Sequence, residues 1–126
     1  MRVLVTGGAG FIGSHLVAAL LQQADITSVR IIDAYLTGSR HNLLPYLDHI
    51  DLIEANLLDG EARKRAVQGI DVIFHQAAIP SVPRSVDNPV ESHLNGVHAT
   101  LLLLSDAVQA GVKRVVFAAS SSAYGN

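Results

Sequence analysis

The sequence predicts an α/β fold in which a doubly wound parallel sheet lies between two layers of helices. Short apolar runs that suit buried strands alternate with runs of helical periodicity along all 126 residues. The hydrophobic fraction is 49% and the charged fraction 16%, which suits a sheet covered on both faces. The first apolar run leads directly into a glycine-rich turn and a helical pattern, so the chain begins as a strand–turn–helix unit.

That unit has the layout of a dinucleotide-binding site. A strand over residues 2–6 ends at three glycines, Gly7, Gly10 and Gly13, and a helix follows over residues 11–23. The first glycine permits the tight turn, the second lets backbone approach a pyrophosphate, and the third lets the helix pack on the strand. The helix N-terminus offers N–H groups and a positive dipole end to phosphate. The alternative is an ordinary glycine-rich loop.

The second predicted strand, residues 29–33, ends in a carboxylate. Asp33 lies 33 − 13 = 20 residues after Gly13, close to the spacing of the acid that binds an adenosine ribose. Such a carboxylate accepts hydrogen bonds from the ribose hydroxyls and repels a 2′-phosphate, so it favours NAD over NADP. The alternative is an acid that only ends a strand in a turn.

Three further strands complete the predicted sheet, over residues 50–54, 71–75 and 114–118. With right-handed crossovers, the five strands take the order 3-2-1-4-5. A helix over residues 61–68 carries Glu61 and Arg65 four residues apart, which favours a solvated, ion-paired face.

The last predicted helix begins at Pro89, after the capping residue Asn88, and ends at Ala110, before Gly111. One apolar stripe follows steps of four and three along it, which indicates packing on the sheet and on something else; deeper burial within the domain is the alternative. The stripe consists of Val90, Leu94, Val97, Leu101, Leu104 and Val108.

Charge and composition argue against several function classes. The net charge of −2 does not suggest a surface for nucleic acid or an anionic membrane, and no apolar run is long enough to span a bilayer. The absence of cysteine excludes disulfides, thiolate chemistry and cysteine–zinc sites. The six histidines form no pair at i and i+4, so we expect no metal site. A cytoplasmic protein is the default expectation.

The motifs together resemble the extended short-chain dehydrogenases/reductases, whose cofactor domain is a Rossmann-type fold. The matching runs are 6–13, 33–38, 74–78 and 120–125, and the resemblance covers the whole chain. It implies that residues 1–126 form an NAD-binding Rossmann domain with NAD as cofactor. The residues that it implies as cofactor contacts are Gly7, Gly10, Phe11, Ile12, Gly13, Asp33, Ala34, Tyr35, Thr37, Gly38, Asn56, Leu57, Gln76, Ala77, Ala78 and Asn95.

Within that family, residues 81–89 resemble nucleotide-sugar 4-epimerases. The resemblance implies a UDP-sugar substrate that is transiently oxidised and re-reduced at C4. Ser120 is the implied catalytic serine, which hydrogen-bonds the 4-oxygen, and Ser81, Arg84, Ser121 and Ser122 are candidate substrate contacts. Dehydratases and decarboxylases share the first domain, but dehydratases tend to have Thr-Asp-Glu at positions 120–122. The alternatives are therefore a dehydratase or decarboxylase, or a dinucleotide-binding module without catalysis.

The chain departs from the family pattern in three places. Asn56 stands where the family usually has an Asp beside the adenine. Gly96 stands where the family has a cofactor-contacting Asn, and Asn95 lies about 100° around the helix from it. The family's Tyr-x-x-x-Lys pair and its C-terminal substrate domain are absent, so we expect an N-terminal portion that binds NAD without turnover. In the family the long helix, from Pro89 to Ala110, forms a dimer interface, which implies a homodimer.

Overall fold

A computed structural model describes residues 1–79 and 81–125, and it shows one parallel sheet of five strands. The order is β3-β2-β1-β4-β5, and every neighbouring pair is parallel. This confirms the predicted fold class and strand order. The strands are β1 Arg2–Thr6, β2 Ser28–Asp33, β3 Asp51–Glu54, β4 Val72–His75 and β5 Arg114–Phe117.

Helices cover both faces of this sheet. The elements are α1 Phe11–Leu21, a 3₁₀ segment Arg40–His49, α2 Gly60–Val67, α3 Val82–Asp87, α4 Pro89–His93, a π-helical turn Leu94–His98, α5 Ala99–Gln109 and a 3₁₀ turn Ser121–Tyr124. The sequence prediction missed α3 and both 3₁₀ elements, because such short segments carry too few residues for a periodic pattern.

Alternate strand residues enter two separate cores. Val3 and Val5 pack with Val17 of α1 and Leu43 of the 3₁₀ segment, and all four are fully buried. Leu4, on the other face of the same strand, packs in a second core. That core includes residues of α2 and α5: Ala62, Ala66, Val67, Ala99, Leu103 and Ala107.

The long C-terminal helix is continuous in sequence but changes its winding at the π-helical turn. Its sheet-facing residues include Ala99, Leu103 and Ala107, which are buried. The predicted apolar stripe lies on the opposite side, so burial within this domain is not its explanation. All six of its members are exposed: Val90, Leu94, Val97, Leu101, Leu104 and Val108.

Glu61 and Arg65 of α2 are exposed, as the predicted solvated face requires, but the predicted ion pair between them is not among the salt bridges that the described residues form. A third charged residue of this helix is buried instead. Arg63 is only 6% exposed, and its Nε donates to Asp106 Oδ2 of α5 at 2.6 Å. Its Nη1 also donates to the carbonyl oxygen of Leu57 at 2.8 Å. Asp106 is 43 residues away in sequence and Leu57 precedes α2, so residue spacing within the helix could not predict these contacts.

None of the helices in the described part of the chain is long and apolar enough to cross a membrane.

Candidate functional site

A cavity of about 550 Å³ opens at the carboxyl ends of the strands. Such crevices are where open parallel sheets bind ligands. Most of the predicted cofactor residues line it, together with Ser120: Gly7, Gly10, Phe11, Ile12, Gly13, Asp33, Ala34, Thr37, Asn56, Leu57, Gln76, Ala77, Ala78 and Asn95.

The turn after β1 requires glycine at two positions. Gly7 has φ +71°, and a Cβ there would lie 2.7 Å from the backbone of Ala77, just after β4. A Cβ on Gly13 would overlap the carbonyl oxygen of Gly7. Gly10 differs, because its Cβ would meet only an ordinary contact at 3.4 Å. Packing within the described chain therefore explains the first and third glycines, whereas Gly10 faces the cavity.

The N-terminus of α1 opens into the same cavity. Gly10 is the N-cap residue and provides no side-chain cap, and the first turn contains no acidic residue. The Ser14 N–H bonds the Gly10 carbonyl at 2.9 Å, so the N–H groups of Phe11, Ile12 and Gly13 precede the helical hydrogen-bond ladder. These three residues line the cavity, which makes this helix end suited to an anion.

Asp33 holds the glycine turn as well as lining the cavity. Its Oδ2 accepts the Ala9 N–H at 2.8 Å, and its Oδ1 accepts the Tyr35 N–H at 2.7 Å. The Ala9 carbonyl accepts from Ser39 N–H at 3.0 Å and from Asn42 Nδ2 at 2.8 Å. The N–H of the fully buried Ala9 is thus held by the last residue of β2, and its carbonyl by the segment that follows β2. The sequence predicts only a ribose contact for Asp33, because this second role depends on residues that the fold brings to it.

Two predicted cofactor residues lie outside the cavity lining. Tyr35 has φ +60° and packs against the core beneath α1, and burial together with the neighbouring Glu54 carboxylate raises its pKa to about 12. Tyr35 is therefore a neutral phenol. A Cβ on Gly38 would lie 2.6 Å from the Ala9 carbonyl, so this glycine allows close approach to the turn. Both residues support the site from behind.

A buried histidine fixes the end of β4. Thr6 Oγ1 accepts the N–H groups of Gln76 at 3.2 Å and Ala77 at 3.1 Å, so its own proton goes to His75 Nδ1 at 2.6 Å. His75 Nε2–H then donates to Thr100 Oγ1 at 2.8 Å. The His75 side chain is 2% exposed, and burial lowers its pKa. The neutral imidazole therefore ties β1 and β4 to α5 beside the cavity.

The π-helical turn places Asn95 at the cavity wall. Asn95 Oδ1 accepts from Asn56 Nδ2 at 3.3 Å, and Asn95 Nδ2 donates to the Glu91 carbonyl at 3.0 Å. An angle of 100° per residue assumes α-helical winding, which does not hold over Leu94–His98. The sequence signal for this change is weak, although Gly96 lies at the centre of the turn.

The predicted substrate residues lie outside the cavity lining. Ser81 caps α3 by accepting the Arg84 N–H at 3.3 Å, and Arg84 lies 3.7 Å from the Glu91 carboxylate. Ser121 and Ser122 are exposed in the last 3₁₀ turn, whereas Ser120 lines the cavity and accepts the Ser122 N–H at 3.1 Å. Sequence reasoning missed several apolar wall residues, which carry no chemical signal: Ile32, Leu36, Ala55, Ile79, Ala99, Ala118 and Ala119.

Comparison with known proteins gives a consistent result. The sequence profile of the NAD dependent epimerase/dehydratase family matches residues 3–126. A UDP-glucose 4-epimerase of Klebsiella pneumoniae is 37% identical over 133 residues, covering all of this chain and 94% of that protein. The chain is 36% identical to two Neisseria meningitidis UDP-glucose 4-epimerases and spans only about 38% of their length.

Solved structures agree in fold. A Thermus thermophilus UDP-glucose 4-epimerase in complex with NAD is 39% identical, with a TM-score of 0.85 over 95% of this chain and 38% of that one. A Streptomyces venezuelae dTDP-glucose 4,6-dehydratase with NAD bound is 38% identical, with a TM-score of 0.82 over 91% of this chain and 38% of that one.

Proposed function

Since the chain belongs to the NAD dependent epimerase/dehydratase family, we propose that its cavity binds NAD and that residues 1–126 act as the NAD-binding domain. The observation that carries the proposal is that an uncapped helix N-terminus and the Asp33 carboxylate line one cavity. The first suits a pyrophosphate and the second an adenosine ribose.

The lining residues fall into groups that would contact different parts of the cofactor. Gly10, Phe11, Ile12 and Gly13 would bind the pyrophosphate. Asp33, Ala34 and Thr37 would surround the adenosine ribose, and Asn56, Leu57 and Asn95 the base. Gln76, Ala77, Ala78 and Ser120 would border the nicotinamide half, because β4 and β5 lie on the other side of β1 from β2. Tyr35 and Gly38 would act through the turn that they support.

Calorimetric titration of the purified chain with NAD and with NADP tests this proposal. We expect NAD to bind more tightly, because a 2′-phosphate would approach the Asp33 carboxylate. Equal affinity for the two cofactors would contradict the assignment of Asp33, and absence of NAD binding would contradict the proposed function.

We propose that the complete enzyme is a nucleotide-sugar 4-epimerase acting on a UDP-sugar. NAD, when bound, supplies the hydride acceptor for oxidation at C4 and the donor for its reversal. Ser120 would hydrogen-bond the 4-oxygen from the cavity wall and orient it. The similarity to a dTDP-glucose 4,6-dehydratase keeps a dehydratase as the second candidate.

We also propose that the 126-residue chain binds NAD without turning over sugar nucleotides. Ser120 is neutral at ordinary pH and is a poor base, and the nearby Tyr124 side chain is 91% exposed. Lys113, just before β5, lies at the opposite end of that strand from Tyr124 and pairs with Asp71 at 3.5 Å, so it is not beside the Tyr124 hydroxyl.

Incubation with NAD and UDP-glucose or UDP-galactose, followed by chromatography, tests this second proposal. We expect no interconversion above the background without protein. Turnover that is lost in Tyr124→Phe would show that Tyr124 is the base and would contradict the proposal.

We propose finally that the chain self-associates through the exposed apolar stripe of the long helix. Val97, Leu101 and Val108 are each more than half exposed. Contiguous apolar surface of this kind usually contacts a partner. Light scattering at high concentration should detect a dimer, and Leu101→Glu should reduce it.

The expected location in the cytoplasm stays a prediction.

A further inference from the structure

The base end of the cavity can be located from the strand order. If NAD binds as proposed above, its pyrophosphate lies at the N-terminus of α1 and its ribose at Asp33 on β2. Continuing away from β1 leads to the end of β3, where Asn56 and Leu57 line the cavity. Asn95 lies opposite, on the π-helical turn. The adenine ring therefore lies beside the Asn56–Asn95 pair, between apolar walls.

The orientation of both carboxamides is fixed by their protein contacts. Asn56 Oδ1 accepts the Leu58 N–H at 2.9 Å, while Asn56 Nδ2 donates to Asn95 Oδ1 at 3.3 Å. Asn95 Nδ2 donates to the Glu91 carbonyl at 3.0 Å. Rotating either amide by 180° would place a donor against a donor or an acceptor against an acceptor. Both side chains are half-buried.

Each amide keeps hydrogen-bonding capacity beyond these contacts. An amide NH₂ has two donors and an amide oxygen two acceptor sites, and the protein contacts use one of each on Asn56 and on Asn95. The pair is thus neutral and retains both donors and acceptors. A carboxylate at the same position would have acceptors only.

We propose that this site, resting on NAD binding as its function, accepts a 6-oxopurine dinucleotide nearly as well as the adenine form. Adenine offers an amino donor at position 6 and an acceptor at N1. Hypoxanthine reverses both, with a carbonyl acceptor at position 6 and a donor at N1. The Asn56–Asn95 pair can satisfy either edge, because it presents both kinds of group.

The test compares the dissociation constants of NAD and nicotinamide hypoxanthine dinucleotide by calorimetry. For the wild-type chain we expect the two values to agree within about threefold, because neither base leaves a polar edge unpaired. Asn56→Leu, of similar size, should weaken both ligands alike.

Each outcome decides the inference. A wild-type ratio above about threefold overturns it, as does an affinity for both dinucleotides that is unaltered in Asn56→Leu. If Asn56→Leu fails to fold, as judged by its melting transition, Asn56→Ala replaces it, and unaltered affinity in that variant overturns the proposed contact. Failure of the wild type to bind either dinucleotide refutes the proposed function itself, and the inference with it.

Discussion

Replacing Asp33 with Ala should weaken the folded chain even without a ligand. The substitution removes both acceptors of the Ala9 and Tyr35 N–H groups, which donate to Asp33 at 2.8 and 2.7 Å. Ala9 is fully buried whereas Tyr35 is half-buried, so water replaces the lost partner of the Ala9 N–H less readily than that of the Tyr35 N–H. Hydrogen bonds to charged groups are worth about 1.5–3 kcal/mol each and a buried unpaired donor costs about 1–3 kcal/mol.

Because the second N–H can be partly hydrated, we expect a total loss of about 2–4 kcal/mol in the free energy of unfolding. For a domain of this size, that loss lowers the melting temperature by about 8–15 °C. Asp48→Ala serves as the control, since Asp48 is exposed and has no side-chain hydrogen bond among those that the described residues form. Its free energy of unfolding should change by less than about 0.5 kcal/mol.

The assay is thermal and urea unfolding of both variants without cofactor, followed by calorimetry with NAD and NADP. The expected result is a destabilised Asp33→Ala chain that has also lost its preference for NAD. An Asp33→Ala melting temperature equal to that of Asp48→Ala would refute the claim that Asp33 holds the glycine turn.

Three further predictions concern the buried polar groups and the glycines. His75 has a pKa below its ordinary value of 6.5, so the unfolded chain binds more protons below pH 6.5, and stability should fall as pH decreases from there by up to about 1.4 kcal/mol per pH unit. Urea unfolding at pH 7.5 and 5.5 should show this loss of unfolding free energy in the wild type and a smaller loss in His75→Gln. An equal loss in the two chains would contradict the prediction. Arg63→Met alone should lower the free energy of unfolding by about 3–5 kcal/mol, because it leaves Asp106 buried and unpaired. Adding Asp106→Leu should recover much of that loss, as measured by chemical denaturation. A double variant no more stable than Arg63→Met would contradict this interpretation of the ion pair. Gly13→Ala should abolish NAD binding because the new Cβ overlaps the Gly7 carbonyl. A Cβ at Gly96 meets nothing within 4 Å, so Gly96→Ala should leave the melting temperature unchanged or higher. Equal effects of the two substitutions on the melting temperature and on NAD binding would be inconsistent with the packing of the turn.

The sequence was sufficient for features that depend on residues close together in the chain. Short apolar runs predicted the five strands, and period-3.6 patterns predicted the main helices. The right-handed crossover rule reduced the possible topologies to the observed order. The spacing from Gly13 to Asp33 predicted that both residues belong to one site, and both line the same cavity. Such a spacing is informative because the intervening helix and strand have nearly fixed lengths.

Only the tertiary structure decided which polar groups are buried and what they contact. Arg63 is 43 residues from Asp106, and His75 is 69 residues from Thr6 and 25 from Thr100. No local pattern distinguishes these side chains from solvated ones, because burial of a polar group depends on whether a distant partner satisfies it. Asn95 reaches Asn56 because the helix changes its winding at the π-helical turn. The α-helical period in the sequence does not predict this local change.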